Sequence, residues 1–242
     1  MTSTSEEGSW SAADTDLFVR YGDACVPRRA EQIGVVCDLL ADLPAGPVLD
    51  LCCGEGRLSE EYARRHPAAR ITLLDGSAEM LALAAERLGR LGARFTAVRA
   101  DIADASWRAG AAYGGVMTSL AVHHLDDAGK QRLYRDLRQM LLPGGVFVMA
   151  DLIEPTGPAA RRLAAETWQE SVARSSEGAL RAFIDTEWNY YRLPGPDDYD
   201  RPSPVAEHLA WLTGAGFEQV DLAWLYAGHA IFTARRPAAA PA

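Results

Sequence analysis

The stretch that decides the fold is Val48-Leu-Asp-Leu-Cys-Cys-Gly-Glu-Gly-Arg-Leu-Ser59. Its apolar residues and Asp50 predict the end of a buried strand, Gly54 and Gly56 predict a turn, and Arg57 begins a predicted helix. Glycine suits such a turn because it allows positive φ and lets a ligand approach the backbone. The helix N-terminus adds free N–H groups and the positive end of a dipole. A strand, a glycine turn and a helix in this order predict the first half of a nucleotide-binding crevice in a doubly wound sheet.

The chain continues as an alternation of strand and helix patterns. Further strands are predicted at 71–74, 94–98, 115–120 and 146–150, with helices at 80–88 and 130–142. Such alternation predicts a parallel sheet with right-handed crossovers. Two later apolar runs, 219–226 and 229–234, are joined by only two residues, so they are expected to pair antiparallel. The predicted fold class is α/β, a doubly wound, Rossmann-like, seven-stranded sheet with an antiparallel C-terminal hairpin.

The domain organisation is predicted to be simple. A length of 242 residues fits one domain, which we place at 14–236 and which starts with a helical region broken at Pro27. The ends, 1–13 and 237–242, are expected to be mobile tails. Residues 153–204 form a predicted helical insertion after the fifth strand, with helices at 158–175 and 177–191 and a proline-rich end. A last helix is predicted at 204–215.

The composition limits the partners that we expect. The formal net charge is −9 and the sequence has no basic stripe, which disfavours a nucleic-acid partner. The sequence has no long uncharged apolar run that would span a membrane, and its polar start is unlike a signal peptide. Its four cysteines show no C-x-x-C spacing and are expected to be reduced thiols. We therefore expect a cytoplasmic monomer or homodimer that acts on a small molecule.

The glycine turn is compatible with two cofactor classes. The dinucleotide fingerprint needs a third glycine where this chain has Ser59. An acidic residue before the glycines instead resembles the first motif of class I S-adenosylmethionine-dependent methyltransferases, acidic-x-G-x-G-x-G. Asp50, Gly54 and Gly56 match that motif, whereas Cys52 stands at the position of its first glycine. These residues are therefore candidate cofactor ligands.

The next two strands also end in acidic residues. Asp75 closes the second strand, where a carboxylate can accept both ribose hydroxyls, and Ser77 is free to cap the following helix. Gly76 and Met80 belong to the same predicted cofactor wall. By resemblance to the methyltransferases, Asp101 faces the adenine amino group and Ile102 packs on the adenine ring.

The resemblance extends over roughly residues 15 to 235. It rests on Ser119-Leu-Ala-Val-His-His-Leu125, Lys130, Tyr134, Leu142-Pro-Gly-Gly145, Asp151 and Leu209-Ala-Trp-Leu-Thr-Gly-Ala-Gly-Phe217. The chain is thereby identified as a member of the class I S-adenosylmethionine-dependent methyltransferases, in a branch of largely undefined substrate. The resemblance implies that Ser119 and Leu120 line the cofactor site. It also implies that Tyr21 closes the methionine pocket and that Arg28 or Arg29 meets the methionine carboxylate.

Two groups of residues are candidates for the acceptor side. His123 or His124 can be a general base, since histidine titrates near neutral pH, or can simply shape the crevice. The sequence has no carboxylate cluster like that of magnesium-dependent catechol methyltransferases, so no metal is expected. Four aromatic residues of the insertion can wall the acceptor pocket or can close the core: Trp168, Trp188, Tyr190 and Tyr191.

The predicted function is methyl transfer from S-adenosylmethionine to an oxygen, nitrogen or carbon of a small or medium organic acceptor. Catalysis is expected to come mainly from proximity and orientation. Two alternatives stay open. The chain can be a cofactor-binding relative without methyl transfer, either cyclase-like or regulatory. It can also be an NAD-dependent oxidoreductase, although Ser59 and the C-terminal hairpin count against that class.

Overall fold

The computed structural model describes residues 12–108, 110, 112–193 and 199–239. The predicted tails therefore lie mostly outside the described residues, as does part of the proline-rich stretch, 194–198. The first helix begins at Ala12, two residues before the expected start of the domain. Among the described residues, no helix is both long enough and apolar enough to cross a membrane.

Seven strands form one sheet in the order β3-β2-β1-β4-β5-β7-β6. The first five strands are parallel, and β7 pairs antiparallel with both β5 and β6. The predicted fold class is thus confirmed. The strands are β1 (Val48–Leu51), β2 (Arg70–Asp75), β3 (Arg94–Arg99), β4 (Tyr113–Ser119), β5 (Leu141–Leu152), β6 (Glu218–Tyr226) and β7 (His229–Arg235).

Eight α-helices surround the sheet among the described residues. The N-terminal pair is α1 and α2, the insertion contributes α6 and α7, and α8 precedes the hairpin. Their bounds are α1 (Ala12–Cys25), α2 (Arg29–Leu39), α3 (Arg57–Arg65), α4 (Ala78–Arg90), α5 (Asp127–Met140), α6 (Pro158–Ala173), α7 (Glu177–Asp185) and α8 (Val205–Gly214).

The central strands of the sheet are buried because helices cover both faces, whereas the edge strands β3 and β6 are largely exposed. In β1 all four residues are buried, as expected for a central parallel strand. Leu49 and Leu51 join one apolar cluster, whereas Val48 joins the cluster on the opposite face. Successive side chains of a strand point to opposite faces, so one short strand supplies both cores. The polar exception in β1 is Asp50, which is buried at the carboxyl end of the sheet.

Three sequence-based boundaries are wrong for local reasons. The strand β4 ends at Ser119, because Leu120 adopts a left-handed φ of 56°. The strand β5 begins at Leu141 and includes the glycines that were expected to end the preceding helix. The helix α7 ends at Asp185 rather than 191, because Glu187 has a φ of 52°; a short 3-10 turn, Tyr190–Arg192, follows.

A third apolar cluster joins the insertion to the N-terminal helix. Trp168 of α6 donates from Nε1 to the Cys25 carbonyl of α1 at 2.7 Å and packs edge-on against Phe183 of α7. The Tyr191 hydroxyl lies 2.8 Å from the Ile153 carbonyl and 2.5 Å from the Gly228 carbonyl in the β6–β7 turn. The insertion therefore packs against the N-terminal helix α1 and against the β6–β7 turn near the C-terminus.

One buried histidine belongs to the helix that precedes the C-terminal hairpin. His208 of α8 is 1% exposed, and its Nδ1 lies 2.7 Å from the Tyr134 hydroxyl of α5. Burial lowers the pKa of His208 to about 4, because the apolar surroundings disfavour the charged imidazolium. The fold therefore favours a neutral imidazole at this position.

Candidate active site

The glycine turn after β1 is fixed to the neighbouring strand. The Cys53 N–H donates to the Leu74 carbonyl at 2.9 Å, and the Gly54 N–H donates to Asp75 Oδ2 at 2.9 Å. Gly54 has a φ of 51°, and a Cβ added there would meet no described atom within 4 Å. The turn therefore leaves open space directly beside its backbone at Gly54.

Gly56 has a different role in the same turn. Its φ is 81°, and an added Cβ would lie 2.9 Å from the Ala84 Cβ of α4. The absence of a side chain at Gly56 lets the start of α3 pack closely against α4. The two motif glycines are thus separated in role: Gly54 faces open space and Gly56 faces the protein interior.

Cys52 stands at a position whose backbone favours the glycine of the motif. Its backbone is left-handed, with a φ of 56°, which is a conformation that glycine adopts freely. A non-glycine residue there costs about 1–2 kcal/mol. Leu120 at the end of β4 and Arg28 before α2 are left-handed as well. Strained backbone of this kind gathers at binding sites, and here it borders the carboxyl ends of β1 and β4.

Asp50 is held at the floor of the crevice. Ser59 of α3 donates from Oγ to Asp50 Oδ2 at 2.6 Å. Burial raises the pKa of Asp50 to about 7, against the opposing effects of the Ser59 hydrogen bond and the Arg29 charge. Ser59 thus stands in place of a third glycine because its hydroxyl positions this carboxyl.

Of the two candidate arginines, Arg29 is the one near the crevice floor. Its Nη1 donates to Ser119 Oγ at the end of β4 at 2.6 Å. Burial lowers the pKa of Arg29 to about 10, and the charges of Asp50 and Glu55 oppose that shift. Arg28 is exposed, and its guanidinium lies 4.0 Å from the Tyr226 ring centroid. The left-handed backbone at Arg28 separates these neighbours, a feature for which the sequence carries no signal.

The second strand ends as its sequence predicts. Ser77 caps α4 by accepting the Met80 N–H at 3.2 Å. Asp75 accepts the Ser77 N–H on Oδ1 at 2.9 Å, in addition to the bond from Gly54. Each carboxylate oxygen has two acceptor sites, so Asp75 can still accept ligand hydroxyls. Gly76 lies between these residues in the sequence, and a Cβ added to it would lie 3.8 Å from the Ala100 carbonyl oxygen.

The third strand brings Asp101 and Ile102 to the same edge. Asp101 is exposed, and its Oδ1 accepts the Ala103 N–H at 2.8 Å. Ile102 is half-buried and packs, like Cys52, against the apolar cluster on one face of the sheet. The carboxyl ends of β1, β2 and β3 thus present acidic groups and an apolar side chain around the open turn.

Comparisons with known proteins identify this arrangement. Residues 48–145 match the family profile described as a methyltransferase domain. The chain is 30% identical over 220 residues to the trans-aconitate 2-methyltransferase of Yersinia pestis (strain Pestoides F), which covers 84% of this chain and 79% of the relative. It is 32% identical over 198 residues to that of Paracidovorax citrulli (strain AAC00-1), covering 75% and 73%. The chain belongs to the class I S-adenosylmethionine-dependent methyltransferases.

Solved structures agree on the fold of this methyltransferase. An O-methyltransferase family protein from Burkholderia thailandensis superposes with a TM-score of 0.68 at 18% identity, over 94% of this chain and 60% of that chain. PigF with SAH gives a TM-score of 0.60 at 16% identity, over 95% and 63%. This chain thus spans about three-fifths of those structures' chains. The predicted enzyme class and cofactor are confirmed, and the oxidoreductase alternative is set aside.

The described residues fit S-adenosylmethionine. The turn offers open space at Gly54, Asp75 has free acceptor sites, and Arg29 is a cation at the crevice floor. These features match the cofactor's ribose hydroxyls, its carboxylate and its need for close backbone approach. The methyltransferase therefore has an acceptor that suits the ribose hydroxyls and a cation that suits the carboxylate of the cofactor.

A chain of charged groups follows β4 in this methyltransferase. His123 follows β4 and is buried, and its ring Nδ1 lies 2.5 Å from Asp151 Oδ1. The backbone N–H of His123 donates to Asp151 Oδ2 at 3.1 Å. On the other side, its Nε2 lies 3.3 Å from Asp200 Oδ1. Burial alone lowers the pKa of His123, but Asp151 and Asp200 outweigh it and raise the pKa to about 10. In this arrangement His123 keeps its proton at neutral pH.

His124 is more accessible than its neighbour. It is half-buried, and its Nδ1 lies 3.2 Å from Asp200 Oδ1 and 3.3 Å from the Tyr199 carbonyl. The sequence did not single out Asp200, which lies in the proline-rich stretch with no motif around it. Asp151 was noted only as part of the family resemblance, and the structure makes it the fixed partner of His123.

The aromatic candidates of the insertion fall into two groups. Trp168, Tyr190 and Tyr191 are buried, and the Tyr190 hydroxyl donates to Glu154 Oε2 at 2.9 Å. Trp188 is only half-buried, and its ring centroid lies 6.3 Å from that of Phe18 in α1. The first three thus pack within the third cluster, and Trp188 is the member with an accessible face.

Tyr21 lies on the same side as Trp188. Tyr21, Trp188 and Leu120 all pack, half-buried, against the third cluster. The N-terminal helix, the insertion and the left-handed residue after β4 therefore meet at this cluster.

Proposed function

We propose that this methyltransferase methylates a carboxylate oxygen of a small organic acid. The observation that carries the proposal is that both ring nitrogens of His123 are engaged, Nδ1 by Asp151 at 2.5 Å and Nε2 by Asp200 at 3.3 Å, so neither is free to take a proton from an acceptor. A hydroxyl or amine acceptor needs a base to take its proton, whereas a carboxylate is already ionised at neutral pH. The relatives named trans-aconitate 2-methyltransferase agree with an acid as acceptor.

The cofactor contacts are proposed from the geometry of the crevice. Asp75 accepts the ribose hydroxyls, Asp101 and Ile102 contact the adenine, and Arg29 binds the carboxylate. When bound, S-adenosylmethionine supplies a methyl group activated by its sulfonium charge, which passes to an acceptor lone pair while the C–S electrons stay on sulfur. The remaining proposed contacts are the predicted residues Tyr21, Asp50, Cys52, Gly54, Gly56, Gly76, Met80, Ser119 and Leu120.

The insertion is proposed to act as a lid. Ligands of open α/β sheets bind outside the carboxyl ends of the strands, and the insertion leaves the sheet at the carboxyl end of β5. Together with α1 it supplies Trp188 and Tyr21, which pack half-buried against the same cluster as Leu120 at the end of β4. Its role is to orient the acceptor and exclude water, which is the main catalytic requirement for an activated methyl donor. A base role for His124 stays a prediction.

The test combines binding and product analysis. The purified chain is titrated with S-adenosylhomocysteine and, separately, with NAD. It is then incubated with methyl-labelled S-adenosylmethionine and a panel of di- and tricarboxylic acids including trans-aconitate, with a phenol and a primary amine as controls. The proposal expects cofactor binding and a labelled, base-labile methyl ester. Label on the phenol or amine alone, or tight cofactor binding without any labelled product, would contradict it.

The remaining expectations about the protein's setting are proposals of the same kind. All four cysteines are free thiols, which supports a reducing, cytoplasmic setting. The acidic net charge of −9 supports a small-molecule rather than nucleic-acid partner. A monomer or homodimer is expected, and sedimentation of the purified chain measures the oligomeric state.

A further inference from the structure

Three potential metal ligands converge beyond the end of β4. His123 Nε2 and Asp200 Oδ1 are 3.3 Å apart, and His124 Nδ1 and Asp200 Oδ1 are 3.2 Å apart. All three ligand atoms lie within 4.8 Å of one another. Within the described part of the chain, this is the one group of three histidine, cysteine or acidic side chains with such close ligand atoms.

These separations suit a metal ion better than a pair of hydrogen bonds. Charge-assisted N–H···O bonds are about 2.7–2.9 Å long, which is shorter than either distance to Asp200. Two ligands that each lie about 2.0–2.1 Å from a tetrahedral zinc ion are about 3.3–3.4 Å apart. The two measured distances are close to that separation. Two of the three separations therefore match those between ligands of a small divalent ion, and the two histidine nitrogens lie within 4.8 Å of each other.

The surroundings of His123 also resemble those of a metal ligand. A ligating histidine usually gives its second ring nitrogen to a carboxylate, which fixes the ring orientation. Asp151 fills that position, 2.5 Å from His123 Nδ1, and the same carboxylate accepts the His123 backbone N–H. Both bonds leave Nε2 directed at Asp200.

Asp200 is brought to this position by buried contacts of the residues after it. The Arg201 N–H donates to the His123 carbonyl at 2.8 Å. The fully buried Lys130 donates from Nζ to Ser203 Oγ at 2.6 Å and also to the Arg201 carbonyl. The third ligand is therefore anchored to α5 and to the turn that carries the first two.

We propose that His123 Nε2, His124 Nδ1 and Asp200 Oδ1 bind one divalent transition-metal ion, which releases the protons of these two ring nitrogens to solvent, with Asp151 orienting His123. Two imidazoles and one carboxylate suit zinc and its neighbours in the first transition row. Three protein ligands leave a coordination position open, as in catalytic rather than structural zinc sites. This proposal departs from the expectation of a metal-free enzyme.

The open position gives the metal a use in the reaction. It lies on the acceptor side, where the ion would bind an oxygen of the carboxylate substrate and fix its orientation. This use rests on the proposed function, whereas the binding of the metal does not.

The test uses Zn²⁺ alone, added to the metal-free full-length chain without cofactor or acceptor. Calorimetry is expected to give one ion per chain. Asp200→Asn and His124→Gln should each weaken binding by at least about a hundredfold, and Asp151→Asn by about 10–100-fold. His66→Gln is the matched control, since His66 lies beside Tyr62 on α3 and should leave zinc affinity unchanged.

Further measurements distinguish this site from metal binding elsewhere on the chain. The Co²⁺-loaded chain should show an absorption spectrum without a thiolate charge-transfer band; such a band would assign the ion to cysteines and overturn the proposal. Lack of stoichiometric binding, or affinity unchanged in folded Asp200→Asn and His124→Gln, would overturn it as well. Melting curves establish that the variants fold. Zinc binding is measured without cofactor or acceptor, so failure of the proposed carboxylate methylation, which product analysis detects, is read separately.

Discussion

The different roles of Gly54 and Gly56 give a sharp test of where the cofactor approaches the backbone. Gly54→Ala places a methyl group in open space beside the turn, whereas Gly56→Ala places it 2.9 Å from the Ala84 Cβ. Gly92, between α4 and β3, is a matched control. It has a φ of 64°, and an added Cβ there also meets no described atom within 4 Å.

The expected stabilities follow from these surroundings. All three variants force alanine into a left-handed backbone at a cost of about 1–2 kcal/mol. Gly56→Ala adds the overpacking against Ala84, about 1–3 kcal/mol more. For a domain of this size 1 kcal/mol shifts Tm by roughly 2–4 °C. Gly54→Ala and Gly92→Ala should therefore each lower Tm by about 2–8 °C, and Gly56→Ala by about 4–20 °C.

The expected affinities separate the cofactor from the fold. If the cofactor occupies the space beside Gly54, the new methyl group costs about 1–3 kcal/mol of binding, or roughly 5–150-fold in Kd. Calorimetric titration with S-adenosylhomocysteine should show this loss for Gly54→Ala and no loss for Gly92→Ala. Equal affinities of these two variants would refute the assignment of Gly54 to the cofactor turn.

Three further predictions concern other parts of the molecule. Asp75→Ala should weaken S-adenosylhomocysteine binding about ten- to a hundredfold through lost charge-assisted bonds, and an unchanged Kd would place the ribose elsewhere. Trp188→Ala should raise the KM for the acceptor and leave cofactor affinity unchanged. Trp168→Ala, at a buried position, should mainly lower the unfolding free energy, by about 3–5 kcal/mol. If both variants lose only stability, Trp188 is not part of the acceptor site. The native pKa of His208, about 4, lies below the unfolded value, so its contribution to stability is full above pH 6.5 and is lost as pH falls towards 4. Between pH 7 and pH 5, His208 should lower the unfolding free energy of the wild-type chain by about 2 kcal/mol, and His208→Asn should abolish this decrease. Chemical denaturation at both pH values measures the difference. An unchanged pH dependence in the variant would contradict the lowered pKa of His208.

The sheet and the cofactor turn could be predicted because their signals are local. The strand that ends in Asp50 and the glycines after it carry the fold class in a short stretch of sequence. Ser77 caps α4 as its sequence position predicts, which leaves Asp75 at the strand end. Each of these features depends on residues only a few positions apart.

The features that sequence reasoning missed depend on the path of the backbone. Arg28 and Arg29 are equivalent by sequence, and the left-handed φ at Arg28 decides which of them reaches Ser119. Asp200 meets His123 only because the insertion folds back over the end of β4. Hydrophobic periodicity and short motifs carry no information about such long-range meetings.

The position of β7 sets the order in which the sheet can close during synthesis. This strand is made after β6 but lies between β5 and β6. Until residue 235 has left the ribosome, the nascent chain therefore carries β5 with one unpaired edge and a row of free N–H and C=O groups. Chains grow at about 5–20 residues per second, and unpaired edges invite association with other chains during that interval. A premature stop within β7 would thus produce a protein prone to aggregation rather than a shortened but working enzyme.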